Sequence, residues 1–232
     1  VGELLNFGWN WDSVAKYAQR EYKKTISAMH LAAAISQACD DLYQYRPGDD
    51  TTVAVLRIGE KKLVNLMTGP AQCQEDDEGM VTDFMADENA VKVVCGGTSA
   101  NIVARVLEKE INVAFTGEID PNIPPTASIE GIDLVTEGVL TLGKCIKLLK
   151  KYVRDEFDAE FFDELDAENG ASKLAKLLIE ECTELNLFVG TAVNDAHRES
   201  ELNFDLSMRQ NLVEQLVSTA EKLGRRVKVK YY

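Results

Sequence analysis

The chain has 232 residues, 45% hydrophobic and 28% charged, a composition typical of a soluble globular protein, and no apolar stretch approaches the roughly 20 residues that cross a bilayer. Its 39 acidic and 25 basic residues give a formal net charge of -14, which disfavours non-specific binding to nucleic-acid phosphates. The five cysteines form no CxxC pair and there are only two histidines, so we expect a cytoplasmic protein with reduced thiols and no imidazole-rich metal site.

Charge is unevenly distributed along the chain. Residues 1–62 carry equal numbers of acidic and basic side chains, so the whole acidic excess lies in the remainder. The shift falls beside an acidic stretch at 74–79, QEDDEG, which we expect to be mobile. We therefore predict a domain boundary near residue 70, with one domain at 1–70 and a second at 80–232.

Two helices open the first predicted domain. Asn10 or Ser13 can cap the first helix, which should end near Lys24. Thr25 or Ser27 can cap the second, whose small residues favour close packing. Two strands should follow these helices, which gives the domain an α-α-β-β order.

The stretch PGDDTTVAVLRI, residues 47–58, places two adjacent carboxylates before the first of these strands. The run from Thr51 is almost entirely β-branched or aliphatic and predicts a buried strand, and 62–69 predicts the next one. Adjacent like charges at a buried strand are unfavourable unless they are solvated, hydrogen-bonded or offset by a cation. Asp49 and Asp50 are therefore either a solvated acidic turn or ligands of a divalent cation such as Mg²⁺ or Mn²⁺.

The same stretch resembles the closing strand of PPM-type protein serine/threonine phosphatases, especially their bacterial SpoIIE-type branch. Residues 1–19 are similar to the helix that follows the family's Asp-Gly metal motif, and 30–38, HLAAAISQA, to the helix before its final Asp. By this resemblance Asp49 is a ligand of one of two Mn²⁺ or Mg²⁺ ions, and Asp50 is the neighbour that varies.

The resemblance implies hydrolysis of phosphoserine or phosphothreonine on a phosphorylated regulatory protein, by a water that two metal ions activate. The family's other ligands, including its Asp-Gly pairs, would precede Val1, and a single carboxylate cannot hold two such ions. We therefore expect the C-terminal part of a phosphatase that is inactive by itself. Its thin core and unpaired strand edges could favour a homodimer.

The second predicted domain alternates strands and helices. Residues 90–110 and 131–152 each read as a strand, a glycine turn and an amphipathic helix, and a third strand begins at 185. RVKVKYY, at the end, reads as an edge strand because of its alternating lysines. This pattern predicts a Rossmann-like α/β domain with a mainly parallel sheet. Residues 92–105 and 123–138 resemble the C-terminal extension of some SpoIIE-type phosphatases of anaerobic bacteria, a resemblance that implies no particular reaction.

Three small, polar turns should lie at the carboxyl ends of these strands, where ligands bind in such folds. The turns contain Gly96, Gly97, Thr98, Ser99 and Asn101; Thr136, Glu137 and Gly138; and Gly190, Thr191 and Asn194. Their glycines and the following helix starts favour a small anionic ligand, although no Walker A or GxGxxG motif is present. The alternative is a set of tight strand-to-helix turns without a ligand. Cys95, before the first turn, reads as a small buried apolar residue.

Other candidates are weaker. Glu130, Asp133 and Glu137 are close in sequence, but an intervening strand should separate them and disfavours a metal site. His197 is either a general base or a surface histidine, and the proline-rich stretch 119–126 is either a lid or a plain connector. An independent small-molecule enzyme is disfavoured by the shortage of histidines and the absence of a recognisable nucleophile.

Overall fold

The computed structural model describes residues 9–22, 27–46, 50–113, 127–156, 159–192 and 199–232. The chain forms two compact units, an N-terminal unit (Val1–Glu60) and a C-terminal unit (Lys61–Tyr232). This division lies earlier in the chain than the domain boundary predicted near residue 70. The strand predicted at 62–69, the last element of the first predicted domain, belongs instead to the sheet of the C-terminal unit. There it is hydrogen-bonded to a neighbouring strand on each side.

Two capped helices are described in the N-terminal unit. They are α1 (Trp11–Tyr22) and α2 (Ala28–Leu42). The Ser13 amide donates to Asn10 Oδ1 at 3.0 Å, and the His30 amide donates to Ser27 Oγ at 3.1 Å. Each cap satisfies one of the amide groups that a helix start leaves without an intrahelical partner, as the sequence predicts.

The strand predicted from Thr51 does not form. Residues 50–60 adopt no regular secondary structure. Apolar side chains in this segment are exposed, Leu56 by 89% and Ile58 by 90%. A strand needs a neighbouring strand that pairs with its backbone groups, and the described sheet contains no strand from this segment. Asp50 is exposed, and Asp49 lies outside the described residues.

The C-terminal unit is built on one seven-stranded sheet with the order β3-β4-β5-β2-β1-β6-β7. Its strands are β1 (Leu63–Thr68), β2 (Val91–Cys95), β3 (Ile111–Val113), β4 (Ala127–Ile129), β5 (Leu134–Thr136), β6 (Glu184–Val189) and β7 (Arg226–Tyr231). The five strands from β5 to β7 in this order are parallel, while β3 and β4 add an antiparallel edge. The predicted α/β class with a mainly parallel sheet is confirmed.

Six α-helices occur among the described residues of the C-terminal unit. They are α3 (Asp77–Met85), α4 (Gly97–Leu107), α5 (Val139–Val153), α6 (Ala159–Asp166), α7 (Gly170–Lys176) and α8 (Glu199–Lys222). α7 continues into a π-helical turn, and α5 packs against both α7 and α8. Among the described residues, no helix is both long and apolar enough to cross a membrane.

The acidic stretch 74–79, expected to be mobile, instead forms a 3₁₀ turn and the beginning of α3. Asp77 anchors it, since its buried carboxylate pairs with Arg105 at 2.5 Å and accepts the Ala71 amide at 3.3 Å. An ion pair and a backbone hydrogen bond thus hold a segment whose composition alone predicts a solvated loop.

The core lies where α3 and α4 cover the centre of the sheet. Met67, Val94 and Phe188 stand side by side on three adjacent strands, since they are paired in the strand register. Phe84 of α3 packs edge-on against Phe188, with ring centroids 5.7 Å apart. Burial on both faces explains why the central strands read as almost continuous apolar runs.

The strand order reverses direction at β1. From β1 the chain passes to β2 and the edge strands β3 and β4, comes back to β5, and then places β6 and β7 on the other side of β1. In open α/β sheets, ligands bind outside the carboxyl ends of the strands, commonly at such a reversal. The carboxyl edge of this sheet therefore holds the residues of functional interest.

Candidate functional site

Two of the three predicted turns emerge side by side. β2 and β5 are neighbouring parallel strands whose last residues, Cys95 and Thr136, are paired in register. The Gly96 amide donates to the Thr136 carbonyl at 2.9 Å, which fastens one turn to the other. The strand pairing, a long-range feature, thus joins two turns that lie about 40 residues apart in sequence.

Glycine allows these turns to touch. Gly96 has a φ of +114°, in the region where side chains are strained, and a Cβ on Gly138 would lie only 3.4 Å from Gly96 Cα. α4 and α5 begin directly after these two glycines, and neither helix has a side-chain cap. The amide groups at the starts of the two helices therefore lie close together, and so do the positive ends of the two helix dipoles. We call Gly96, Gly97, Thr98, Gly138 and Val139 the paired helix start.

Some polar side chains of these turns are buried and support the structure. Ser99 Oγ accepts the Gly69 amide at 2.8 Å, which ties α4 to the end of β1. Thr136 Oγ1 donates to the Glu137 carbonyl at 2.9 Å. Ser99, predicted as a ligand-binding hydroxyl, thus has a clear structural role.

Other predicted site residues face solvent. Gly97, Thr98 and Asn101 are exposed, and so is Glu137 beside them. Exposed amide and hydroxyl groups suit an anion, whereas the Glu137 carboxylate repels one that approaches from its side.

The third predicted turn is not part of this arrangement. β1 lies between β2 and β6, so Gly190 is about 10 Å from the paired helix start along the sheet. A Cβ on Gly190 would lie 2.0 Å from the Pro70 carbonyl oxygen, so the two backbones are in direct contact. Thr191 Oγ1 donates to the Tyr232 carbonyl at 2.7 Å, and Asn194 lies outside the described residues.

The reversal point between β1 and β6 is closed by a buried arginine. Arg209 of α8 donates from Nη1 to the carbonyls of Gly190 and Ala192, each at 3.3 Å. Its guanidinium also lies where a side chain on Gly69 would be, because Nη1 is 2.6 Å from the position of an added Cβ. Sequence reasoning missed Gly69 and Arg209. The Gly-Pro pair after β1 was a usable signal for the turn, whereas nothing local singles out an arginine within a long helix.

Cys95, beneath the paired helix start, has the properties of a core residue. It is buried, and burial raises the pKa of its thiol to about 11. Burial likewise raises the pKa of Cys145 well above its ordinary value. Because the thiolate is the reactive form, neither sulfur is suited to act as a nucleophile near neutral pH.

No group of three or more potential metal ligands occurs in the part of the chain that the structure describes. Glu130 pairs with Lys109 at 2.6 Å, and Asp133 accepts the Lys92 amide at 2.7 Å. β5 separates Asp133 from Glu137, as predicted. Glu130 and Asp133 therefore each have a partner within the protein.

Two surface clefts lie away from the paired helix start. One, of about 360 Å³, surrounds the beginning of β2, where the Lys92 ammonium is already bound to the carbonyls of Asp87 and Ala90. The other, of about 420 Å³, lies between α5 and α8, where Lys150 donates to Gln215 at 2.5 Å. His197 and the proline-rich stretch 119–126 lie outside the described residues.

Comparison of the chain with models of known protein families, with curated proteins and with solved structures finds no match.

Proposed function

We propose that the C-terminal unit is a regulatory module that binds a small anionic metabolite at the paired helix start. The observation that carries this proposal is the contact between Gly96 and Gly138, which brings the uncapped starts of α4 and α5 together. A single helix start attracts an anion weakly at an exposed surface, and two that converge add their fields and their amide donors. The reversed strand order supports the same edge of the sheet as the binding edge.

The surroundings narrow the class of ligand. Thr98 and Asn101 offer hydrogen bonds, and Glu137 disfavours a second negative charge on its side. We therefore favour a phosphorylated or carboxylated metabolite that also bears hydroxyl or amino groups over a compact polyanion.

Gly97→Val is the most direct test of this proposal. A Cβ on Gly97 meets no atom within 4 Å, so the variant should fold, yet its side chain would occupy the space in front of the amide groups. The full chain is screened by thermal unfolding against nucleotides, sugar phosphates, inorganic phosphate and carboxylic acids. A ligand at about 100 times its Kd should raise the Tm of the wild type by roughly 5 °C, and Gly97→Val should abolish that shift.

Gly79→Val is the matched control. Gly79 also lies in the first turn of a helix, α3, is exposed, and has no atom within 4 Å of an added Cβ. It should retain the ligand-induced shift in full. If no compound raises the Tm, or if both variants lose the shift equally, the paired helix start is not the binding site.

We propose, as a second function, that the N-terminal unit belongs to a metal-dependent protein serine/threonine phosphatase of the SpoIIE type, which the C-terminal unit would regulate. Residues 50–60 favour this proposal, since a strongly strand-forming sequence leaves Leu56 and Ile58 exposed and has no strand partner among the described residues. This is expected of a strand whose sheet is completed by other parts of a protein. The ligands beyond Asp49 would also have to come from those parts.

The phosphatase proposal is tested separately, on a protein that contains this chain together with the missing carboxylates. It should hydrolyse p-nitrophenyl phosphate and phosphoserine peptides in the presence of Mn²⁺, and Asp49→Asn should remove that activity. Asp50→Asn is the comparison, since the resemblance makes Asp50 the variable neighbour. Activity that persists undiminished in Asp49→Asn contradicts the proposal and leaves the ligand-binding proposal untouched.

A further inference from the structure

β7 has one free edge in the described part of the chain. It pairs in parallel with β6 on one side only. The Arg226 amide donates to the Thr183 carbonyl, just before β6, and the Tyr232 amide donates to the Val189 carbonyl, at the end of β6. Alternate residues of β7 therefore point their backbone groups toward β6. The amide and carbonyl groups of Val227, Val229 and Tyr231 consequently point outward.

The side chains of β7 divide into two chemically different rows. Arg226, Lys228 and Lys230 form an exposed basic row, with side-chain exposures of 72% for Lys228 and 59% for Lys230. Val227 and Val229 are half-buried on the opposite face of the strand, followed by the exposed Tyr231. An added strand would therefore meet positive charge on one face and apolar surface on the other.

The basic row and its surroundings carry more positive than negative charges, even when the ion pairs with neighbouring carboxylates are counted. Lys228 pairs with Glu184 at 2.7 Å, and Lys61 reaches the same carboxylate at 2.8 Å. Lys230 pairs with Asp83. Three lysines thus share two carboxylates, and Arg226 adds a fourth positive charge, in a chain whose net charge is -14. A local surface opposite in sign to the whole molecule favours an acidic partner.

We propose that β7 binds an extended acidic segment of a partner protein, which adds to the sheet as an eighth strand. Acidic residues at alternate positions of that segment would lie beside the basic row, and apolar residues would lie beside Val227, Val229 and Tyr231. Main-chain hydrogen bonds supply affinity in this mode, and the alternating side chains supply specificity. Lysines on an edge strand oppose pairing with a second basic edge, so the same row that excludes a second β7 selects an acidic strand.

The probe is a fluorescein-labelled ten-residue peptide of alternating Glu and Val, titrated with the full chain and followed by anisotropy. Val229→Pro removes one outward amide without removing a hydrogen bond to β6, and proline is tolerated at such edge positions. We expect Val229→Pro to weaken binding at least tenfold, Val229→Ala to change it less than about twofold, and Arg226→Glu to weaken it several-fold. Far-UV circular dichroism and Tm establish that each variant is folded.

A peptide of alternating Lys and Val is the charge control and should not bind measurably. Equal binding of the two peptides, or binding of the acidic peptide that Val229→Pro leaves unchanged, overturns the proposal. Light scattering detects the alternative occupant: a dimer of the wild type that Val229→Pro dissociates would assign the edge to a second copy and contradict an acidic partner. Failure of the acidic peptide to bind likewise rejects the proposal.

Discussion

The carboxyl edge of the sheet has two halves that use glycine for opposite purposes. At β1 and β6, Gly69 and Gly190 let two backbones touch, and the guanidinium of Arg209 fills the remaining space. At β2 and β5, Gly96 and Gly138 also touch, but the helix starts behind them are uncapped and exposed. We call these the sealed half and the open half.

In this sheet the reversal of the strand order and the uncapped helix starts lie at different strands. The reversal lies between β1 and β6, yet that position is filled by backbone and by a buried side chain. The neighbouring half, one strand away, offers amide donors instead. The space available in front of the strand ends therefore decides which half can accept a ligand.

Gly190→Ala should have the largest effect, because it breaks the sealed half. The added Cβ would lie 2.0 Å from the Pro70 carbonyl oxygen and 2.5 Å from that of Gly69. Both oxygens belong to the backbone, which cannot shift without disturbing the turn. We expect a loss of more than about 4 kcal/mol in the free energy of unfolding, or failure to fold. Urea denaturation measures it. Gly97→Ala, which meets no atom within 4 Å, is the control, and equal stability of the two variants would contradict the close packing.

Ser99→Ala should have the next largest effect, because it unlinks the two halves. Ser99 Oγ accepts the Gly69 amide, so the substitution leaves a buried donor without its partner. The expected loss is about 1–3 kcal/mol in the free energy of unfolding. Ser218→Ala, on the exposed face of α8, should change stability by less than about 0.5 kcal/mol. A Ser99 variant as stable as the Ser218 variant would show that the link contributes little.

Gly138→Ala should have the smallest effect, on the open half. Its Cβ would stand 3.4 Å from Gly96 Cα, a tight contact that a small shift can relieve, and alanine is a poorer helix cap than glycine. We expect a loss of about 1 kcal/mol in the free energy of unfolding. Gly143→Ala, within α5, meets no atom and should instead raise stability by about 0.5–1 kcal/mol. The same sign for both variants would mean that the glycine contact does not constrain the turns.

Local signals explain the parts of the fold that the sequence predicts. Asn10 and Ser27 cap helices because cap chemistry involves only a few neighbouring residues. The glycine turns after β2 and β5 were likewise visible, since apolar strands, turns and amphipathic helices follow each other directly there. The alternating lysines of β7 correctly indicated an edge strand.

Long-range contacts explain the rest. Residues 63–68 read as a strand, but the sequence does not tell which strands pair with it. The predicted boundary therefore follows this strand, whereas the division between the two units precedes it. Residues 51–58 read equally well as a strand but form none, because the described residues provide no neighbouring strand for them. The contact of Arg209 with Gly190 and the hydrogen bond between Ser99 and Gly69 each join residues that are distant in sequence. No local sequence pattern therefore predicts them.

The open half is tested most directly by the amide chemical shifts of the ¹⁵N-labelled full chain. The chain is titrated with a sugar phosphate, glucose 6-phosphate, against a chloride control at equal ionic strength. We expect the amides of Gly97, Thr98, Val139 and Leu140 to shift along one common saturation curve while those of Gly69 and Gly190 stay in place. Saturable shifts at the sealed half, or only linear changes at the open half, would contradict anion binding at the paired helix start.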